Sequence, residues 1–187
     1  MEEGTKRELE EYREYLERLA ESNSPDMFSN GGIQHASILM SVLFKKTRKN
    51  ARMYSNGFKS RLITTQPYWD ELNFYLNNPK NELTVLVECA DFIEEEPLMR
   101  LQEAIRQRNY DNTIQVKLIS SEGKKMIADR FGKGHCNFAI FDDDKFRFEY
   151  DPENFKAFGS FYQPEKCEIL TNLFDEAFAS SRDLWMN

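Results

Sequence analysis

The run Leu83-Thr84-Val85-Leu86-Val87-Glu88 constrains this chain more than any other stretch. A strand that is apolar almost without interruption has no face to offer water. It therefore predicts a parallel sheet covered by helices on both sides. The flanking segments supply such covers. Ile33 to Lys49, with Ile38, Leu39, Val42 and Leu43 on one face, reads as a helix, and Ala51–Ser55 follows as a strand. Gln66 to Leu76 is a second helix, stopped by Asn77-Asn78-Pro79, and Pro97 to Arg108 is a third, with proline near its first turn.

Beyond it, Thr113–Ile119 predicts a strand and Ser121–Phe131 a short helix. A strand opened by His135 follows, then Phe146–Tyr150 in half-exposed alternation and Phe155–Phe161 as a third strand of the cluster. A helix from about Glu165 to Leu184 closes the chain, and Thr5 to Glu21 opens it as a charged amphipathic helix. The class is thus α/β: a mixed β-sheet sandwiched by helices, with an extra N-terminal helix. Residues 1–26 form that helix and its linker, and 27–187 form the domain. The N-terminal helix either docks a partner or packs on its own domain.

Composition bounds the function. No run reaches the roughly 18 apolar residues of a membrane span, and no secretory segment opens the chain. Cys89, Cys136 and Cys167 are odd in number and scattered, which predicts buried thiols in a reducing cytoplasm. With His35 and His135 the sole histidines, no metal site and no cofactor are expected, and His35, in a helix's first turn, reads as a surface or capping residue.

The net charge of −7 argues against a protein that coats nucleic acid indiscriminately, but it is unevenly spread. Residues 1–26 hold nine acids and four bases. From Met27 to Trp69 there is no acid at all, while Lys45, Lys46, Arg48, Lys49, Arg52, Lys59 and Arg61 contribute +7. This 45–61 block is the expected footprint for an anion such as DNA or RNA. Lys59 and Arg61 fall in a Gly-containing loop after a strand, a setting suited to phosphate.

Gly134-His135-Cys136-Asn137-Phe138-Ala139-Ile140-Phe141-Asp142 sets His135 and Asn137 on one face of a strand. A hydrogen-bonded pair at the strand's start is the plainer reading and a functional pair the other. The order His135-x-Asn137-x4-Asp142, then Gly159-Ser160, then the closing helix, resembles the phospholipase D superfamily, whose signature is His-x-Lys-x4-Asp followed by Gly-Ser and Asn. The resemblance covers about 150 residues, from Ile33 onward. It implies His135 as nucleophile or acid, Asp142 at the family's aspartate and Ser160 as a phosphate-side hydroxyl. In that family two motifs meet across a repeat or dimer, one histidine attacking phosphorus while lysines hold the non-bridging oxygens.

Three departures change the expectation. Asn137 stands where the family has lysine, 16 residues rather than six separate Asp142 from Gly159, and Phe161-Tyr162 replaces the region of the family's Asn. Losing one transition-state donor commonly costs on the order of 10²–10³ in rate. The expected function is a catalytically degenerate phospholipase D-like module, binding nucleic acid or assembling with protein in a bacterial cytosolic system. The alternative is a homodimeric phosphodiesterase or nuclease pairing His135 from each chain, with a cation of the basic block standing in for lysine. A further alternative sets the motif aside as structural, in an unrelated α/β domain.

Overall fold

One eight-stranded mixed sheet, in the order β1-β7-β6-β5-β2-β3-β4-β8, organises the chain. The structure, a computed structural model, describes residues 3–56, 58, 60–132 and 135–185. β2 (Asn50–Ser55), β3 (Glu82–Val87) and β4 (Ile114–Leu118) run parallel. β5 (Asn137–Phe141) pairs antiparallel with β2 and opens a meander through β6 (Lys145–Asp151) and β7 (Lys156–Ser160) to β1 (Met27–Asn30) at the edge. The parallel heart places Leu83, Val85, Leu86 and Val87 in full burial, as a two-faced strand requires.

Helices cover both faces. On one side α1 (Glu3–Glu21), α2 (Ile33–Lys46), the short α3 (Ser60–Ile63), α4 (Tyr68–Asn77) and α5 (Glu96–Gln107) close a core around Leu16, Leu39, Leu43, Phe44 and Leu98. On the other, α6 (Ser121–Phe131) and α7 (Pro164–Ala179) pack over Leu86, Phe138, Ile140 and Phe146. No helix of the described residues is long and apolar enough to cross a membrane.

Several boundaries differ from expectation. β1 escaped the sequence reading because its four residues carry no periodicity; β7 holds it in place, 130 residues away. α2 stops at Lys46 rather than Lys49. The hydroxyl of Thr47 donates back to Leu43 O at 2.7 Å, and the amides of Arg48, Lys49 and Asn50 are drawn to the Asp142 carboxylate. α7 ends at Ala179, where Ser180 and Ser181 donate to Ala177 O, and Arg182–Asp183 turns away as β8 against β4. β6 alternates with its faces inverted: Arg147 and Glu149 are buried on the side of the first-face helices, while Phe148 is half-buried and Tyr150 exposed on the other.

Candidate functional site

Where β2, β5 and β6 run out beneath α2, α3 and α4, a cavity of about 240 Å³ opens beside Asn137. Sheet register builds its floor. Asn137 stands opposite Glu149, Glu149 opposite Ala157, and Ala157 opposite Asn30, so one row crosses four strands on one face. Asn137 Nδ2 donates to Glu149 Oε2 at 2.6 Å, and its Oδ1 accepts from the Asn56 amide at 2.9 Å. Glu149 Oε1 accepts from Arg147 Nη2 at 2.6 Å, and Arg147 Nε reaches Asn30 Oδ1 at 3.4 Å. The side chains of Arg147 and Glu149 are 6 % and 4 % exposed, a buried ion pair in which each charge offsets the other.

Gly159 makes the neighbouring packing possible. A Cβ there would meet the Phe146 carbonyl oxygen at 2.1 Å and the Phe28 ring at 2.6 Å. Glycine is thus needed for close approach of β6 and Phe28. On the cavity's opposite wall lies Tyr68, 1 % exposed, whose hydroxyl has no hydrogen-bond partner among the described residues. Burial pushes its phenol well above the ordinary range, against a smaller opposing pull from Arg147, so it stays a neutral O–H. Arg61 and Glu153 complete the charged lining, with the Arg61 guanidinium 5.2 Å from the Phe155 ring centre.

The motif residues do not converge. Asn137 alone of the four lines this cavity. His135 is exposed and lies two residues ahead of β5, not in the strand. Asp142 closes the far end of β5, roughly 17 Å along the strand from Asn137. There its carboxylate accepts from the amides of Arg48 (2.7 Å), Lys49 (2.8 Å) and Asn50 (3.2 Å) and meets Lys145 Nζ at 3.3 Å. Ser160 is fully buried at that same end; its hydroxyl donates to Ser24 O and accepts from the Tyr162 amide.

The basic block is divided likewise. Lys45 pairs with Glu17, Lys46 with Glu21, and Arg52 with both Asp143 and Asp175. Arg48 and Lys49 are exposed and without an ion pair among the described residues. Together with Lys45 and Lys46 they line a second, open concavity of about 610 Å³ shared with Asp142, Asp143 and Asp144, at the opposite end of β2 from Arg61. Lys59 lies outside the described residues. Of the three cysteines, Cys136 and Cys167 are buried and Cys89 is half-buried; burial pushes the first two thiols up to about 11 and about 12.

The cation beside Asn137 therefore comes partly from outside the block. Arg147, Glu149 and Tyr68 are site residues that the sequence reading missed. A signal existed: Arg147 and Glu149 are two apart and of opposite sign, and a tight turn at Asp142–Asp144 sets Glu149 against Asn137. Among the described residues no three His, Cys, Asp or Glu side chains cluster as a metal site would require.

Solved structures share this architecture. Phosphatidylserine synthase from Haemophilus influenzae Rd KW20 superposes with a TM-score of 0.57 at 11 % identity, over 84 % of this chain and 39 % of its own. Nuc, a phospholipase D family member from Salmonella typhimurium, gives 0.54 at 9 %, over 84 % of this chain and 98 % of its own. The fold is phospholipase D-like. TrmBL2, an archaeal chromatin protein described as showing a novel mode of DNA binding, gives 0.55 at 13 % and is matched over 97 % of this chain and 66 % of its own. No family model matches the sequence, and neither does any curated protein. At these identities the likeness establishes the phospholipase D-like fold alone.

Proposed function

We propose that this chain is a non-catalytic phospholipase D-like module that binds nucleic acid. The observation that carries the non-catalytic half is the carboxylate of Glu149 beside Asn137, where the resemblance would place a cation. Phosphoryl transfer needs positive groups free to meet developing charge. Here the Asn137 amide is engaged on both sides, and the nearest guanidinium is neutralised by Glu149. A phosphate oxygen brought there would meet an ion pair with no net charge, which leaves nothing to offset the negative charge that develops in the transition state.

The binding half is supported by the exposed Arg48 and Lys49 and by the breadth of the TrmBL2 match. That match leaves fewer residues of this chain outside than the 19 of α1, so it takes in much of this helix too. A second reading, a homodimeric phosphodiesterase, is favoured by one observation: His135 is exposed and open to a second copy.

A cleavage assay on labelled single- and double-stranded DNA and RNA separates the two, run with wild type and His135→Ala and paired with gel shifts. The expected outcome is no cleavage by either protein and a salt-sensitive shift with both. Cleavage that His135→Ala abolishes would establish the dimeric enzyme instead, and absence of any shift would remove the nucleic-acid reading.

A further inference from the structure

The second face of the sheet is covered only in part. α6 and α7 pack over Leu86, Phe138, Ile140 and Phe146, and beyond these the face opens. Tyr150 is 55 % exposed there and Phe158 37 %, with Met27 exposed beside them. An antiparallel strand with one side in water usually turns its polar residues that way. β6 does the reverse: Arg147 and Glu149 go inward, and Phe148 and Tyr150 go outward. Register sets Phe158 of β7 opposite Phe148, and Ser29 of β1 opposite Phe158, so the aromatic residues share the outer side of adjacent strands. A contiguous exposed apolar patch marks an interaction surface.

Ring geometry and charge say what it meets. The Phe158 ring lies 5.5 Å from that of Phe148 at 33° and 6.1 Å from that of Tyr150 at 29°. Phe131 of α6 backs Phe148 at 4.8 Å. Near-parallel rings that brace one another at the edge of solvent form a platform for flat, uncharged groups. Met27, opposite Ser160, carries the surface on towards the exposed Tyr162, which lines the concavity that holds Arg48 and Lys49. Lys166 lies beside Met27, Nζ to Sδ 3.7 Å, and has no ion pair among the described residues. Glu165 and Glu168 flank it on α7, and Lys156 at the other end is paired with Asp151. Phosphates are thus favoured at the Arg48–Lys49 end, and uncharged ring faces along the aromatic strip.

We propose that the outer face of β6 and β7 is a stacking platform for the unpaired bases of single-stranded nucleic acid, whose backbone reaches Arg48 and Lys49 by way of Tyr162. Every base has a π-face, so such stacking tolerates any sequence. A duplex keeps its bases stacked on one another and gains only the phosphate contacts. The proposal rests on the nucleic-acid half of the function proposed above and narrows it to single strands.

The experiment is fluorescence anisotropy of the full chain with labelled oligo-dT and oligo-U of about 15 nucleotides and a duplex of the same length, over a series of salt concentrations. Wild type is compared with the double variant Tyr150→Leu with Phe158→Leu, which keeps the surface apolar and removes the rings. A second variant, Tyr150→Trp, reports stacking by its own emission, and sedimentation velocity records the association state. Wild type is expected to bind at least one single strand about five-fold or more tightly than the duplex, the lower end for one stacked base. The double variant should lose that margin while its salt slope on single strands stays that of wild type, since no phosphate contact is removed. The Tyr150→Trp emission should be quenched by the single strands beyond any wild-type change. Equal affinity for strand and duplex overturns the inference, as does a margin that survives in the double variant or a Tyr150→Trp emission that single strands leave unchanged. A wild-type dimer that the double variant dissociates also overturns it, because the face would then belong to a second copy. If the double variant fails to fold, Tyr150→Trp, at an exposed position, decides alone. In each overturning case, salt-sensitive binding leaves the broader nucleic-acid reading standing; no binding to any probe ends both.

Discussion

The Asp142 carboxylate holds three successive backbone amides, those of Arg48, Lys49 and Asn50, and shares Lys145 with Asp144. Its own backbone sits at φ 51°, a left-handed turn conformation that aspartate tolerates better than most residues. One side chain thus ends α2, starts β2 and closes the β5–β6 hairpin. Asp142→Ala should lower unfolding free energy by about 2–4 kcal/mol in urea titration, since hydrogen bonds to a charged group contribute about 1.5–3 kcal/mol each and water reaches part of this site. A change below about 0.5 kcal/mol would show that water replaces the carboxylate at no cost. The resemblance marked Asp142 as a site residue, and its placement is that of a structural clasp between segments 90 residues apart. The motif letters were legible; the partners were not, because an aspartate's spacing within a strand says nothing about which distant amides it will meet.

At the scale of elements, α1 shows what a charged amphipathic pattern leaves open. Its periodicity was readable from Leu9, Tyr12, Leu16 and Leu19, yet docking on a partner and packing on its own domain predict the same stripe. In the structure Leu16 is fully buried in the core with α2, and the Tyr12 hydroxyl donates to Ser29 O at 3.1 Å. Leu16→Ala should therefore cost about 2–4 kcal/mol, measured by thermal or chemical denaturation of a monomeric sample. A near-neutral effect would mean that α1 is held weakly and is available to a partner. β6 teaches the converse. Its Phe–charge alternation was visible, and the expectation put the charges in water, which is the usual outcome for an antiparallel strand. The helices of the first face cover the charged side of β6 and remove that option, so Arg147 and Glu149 pair with each other and form the floor of the cavity, while Tyr150 on the other side is exposed.

For the whole molecule, charge distribution decides how it meets an anion. The acid-free stretch looked like one +7 surface. Folding pairs Lys45, Lys46 and Arg52 with carboxylates and sends Arg61 to the other end of β2. Arg48 and Lys49 remain exposed. If they carry the grip, Arg48→Ala with Lys49→Ala should reduce the slope of log K against log salt by about 2 for duplex DNA, or somewhat less for single strands, measured in gel-shift or anisotropy titrations. An unchanged slope would move the nucleic-acid interface elsewhere on the surface.

The sequence by itself determined the class of the fold. Leu83–Glu88 demanded a covered parallel strand, the alternating helices supplied the covers, and the His-x-Asn-x4-Asp order indicated the phospholipase D-like layout that the superpositions show. These features are local: a period, a run or a spacing is set by residues near one another in the chain. Tertiary structure alone decided the site. It brought Tyr68, Asn137, Arg147 and Glu149 around one cavity, left His135 outside it, and carried Asp142 and Ser160 to the far end of the sheet. Such contacts depend on strand register and on which face each helix covers, and a charge's partner is fixed only when the sheet has closed around it.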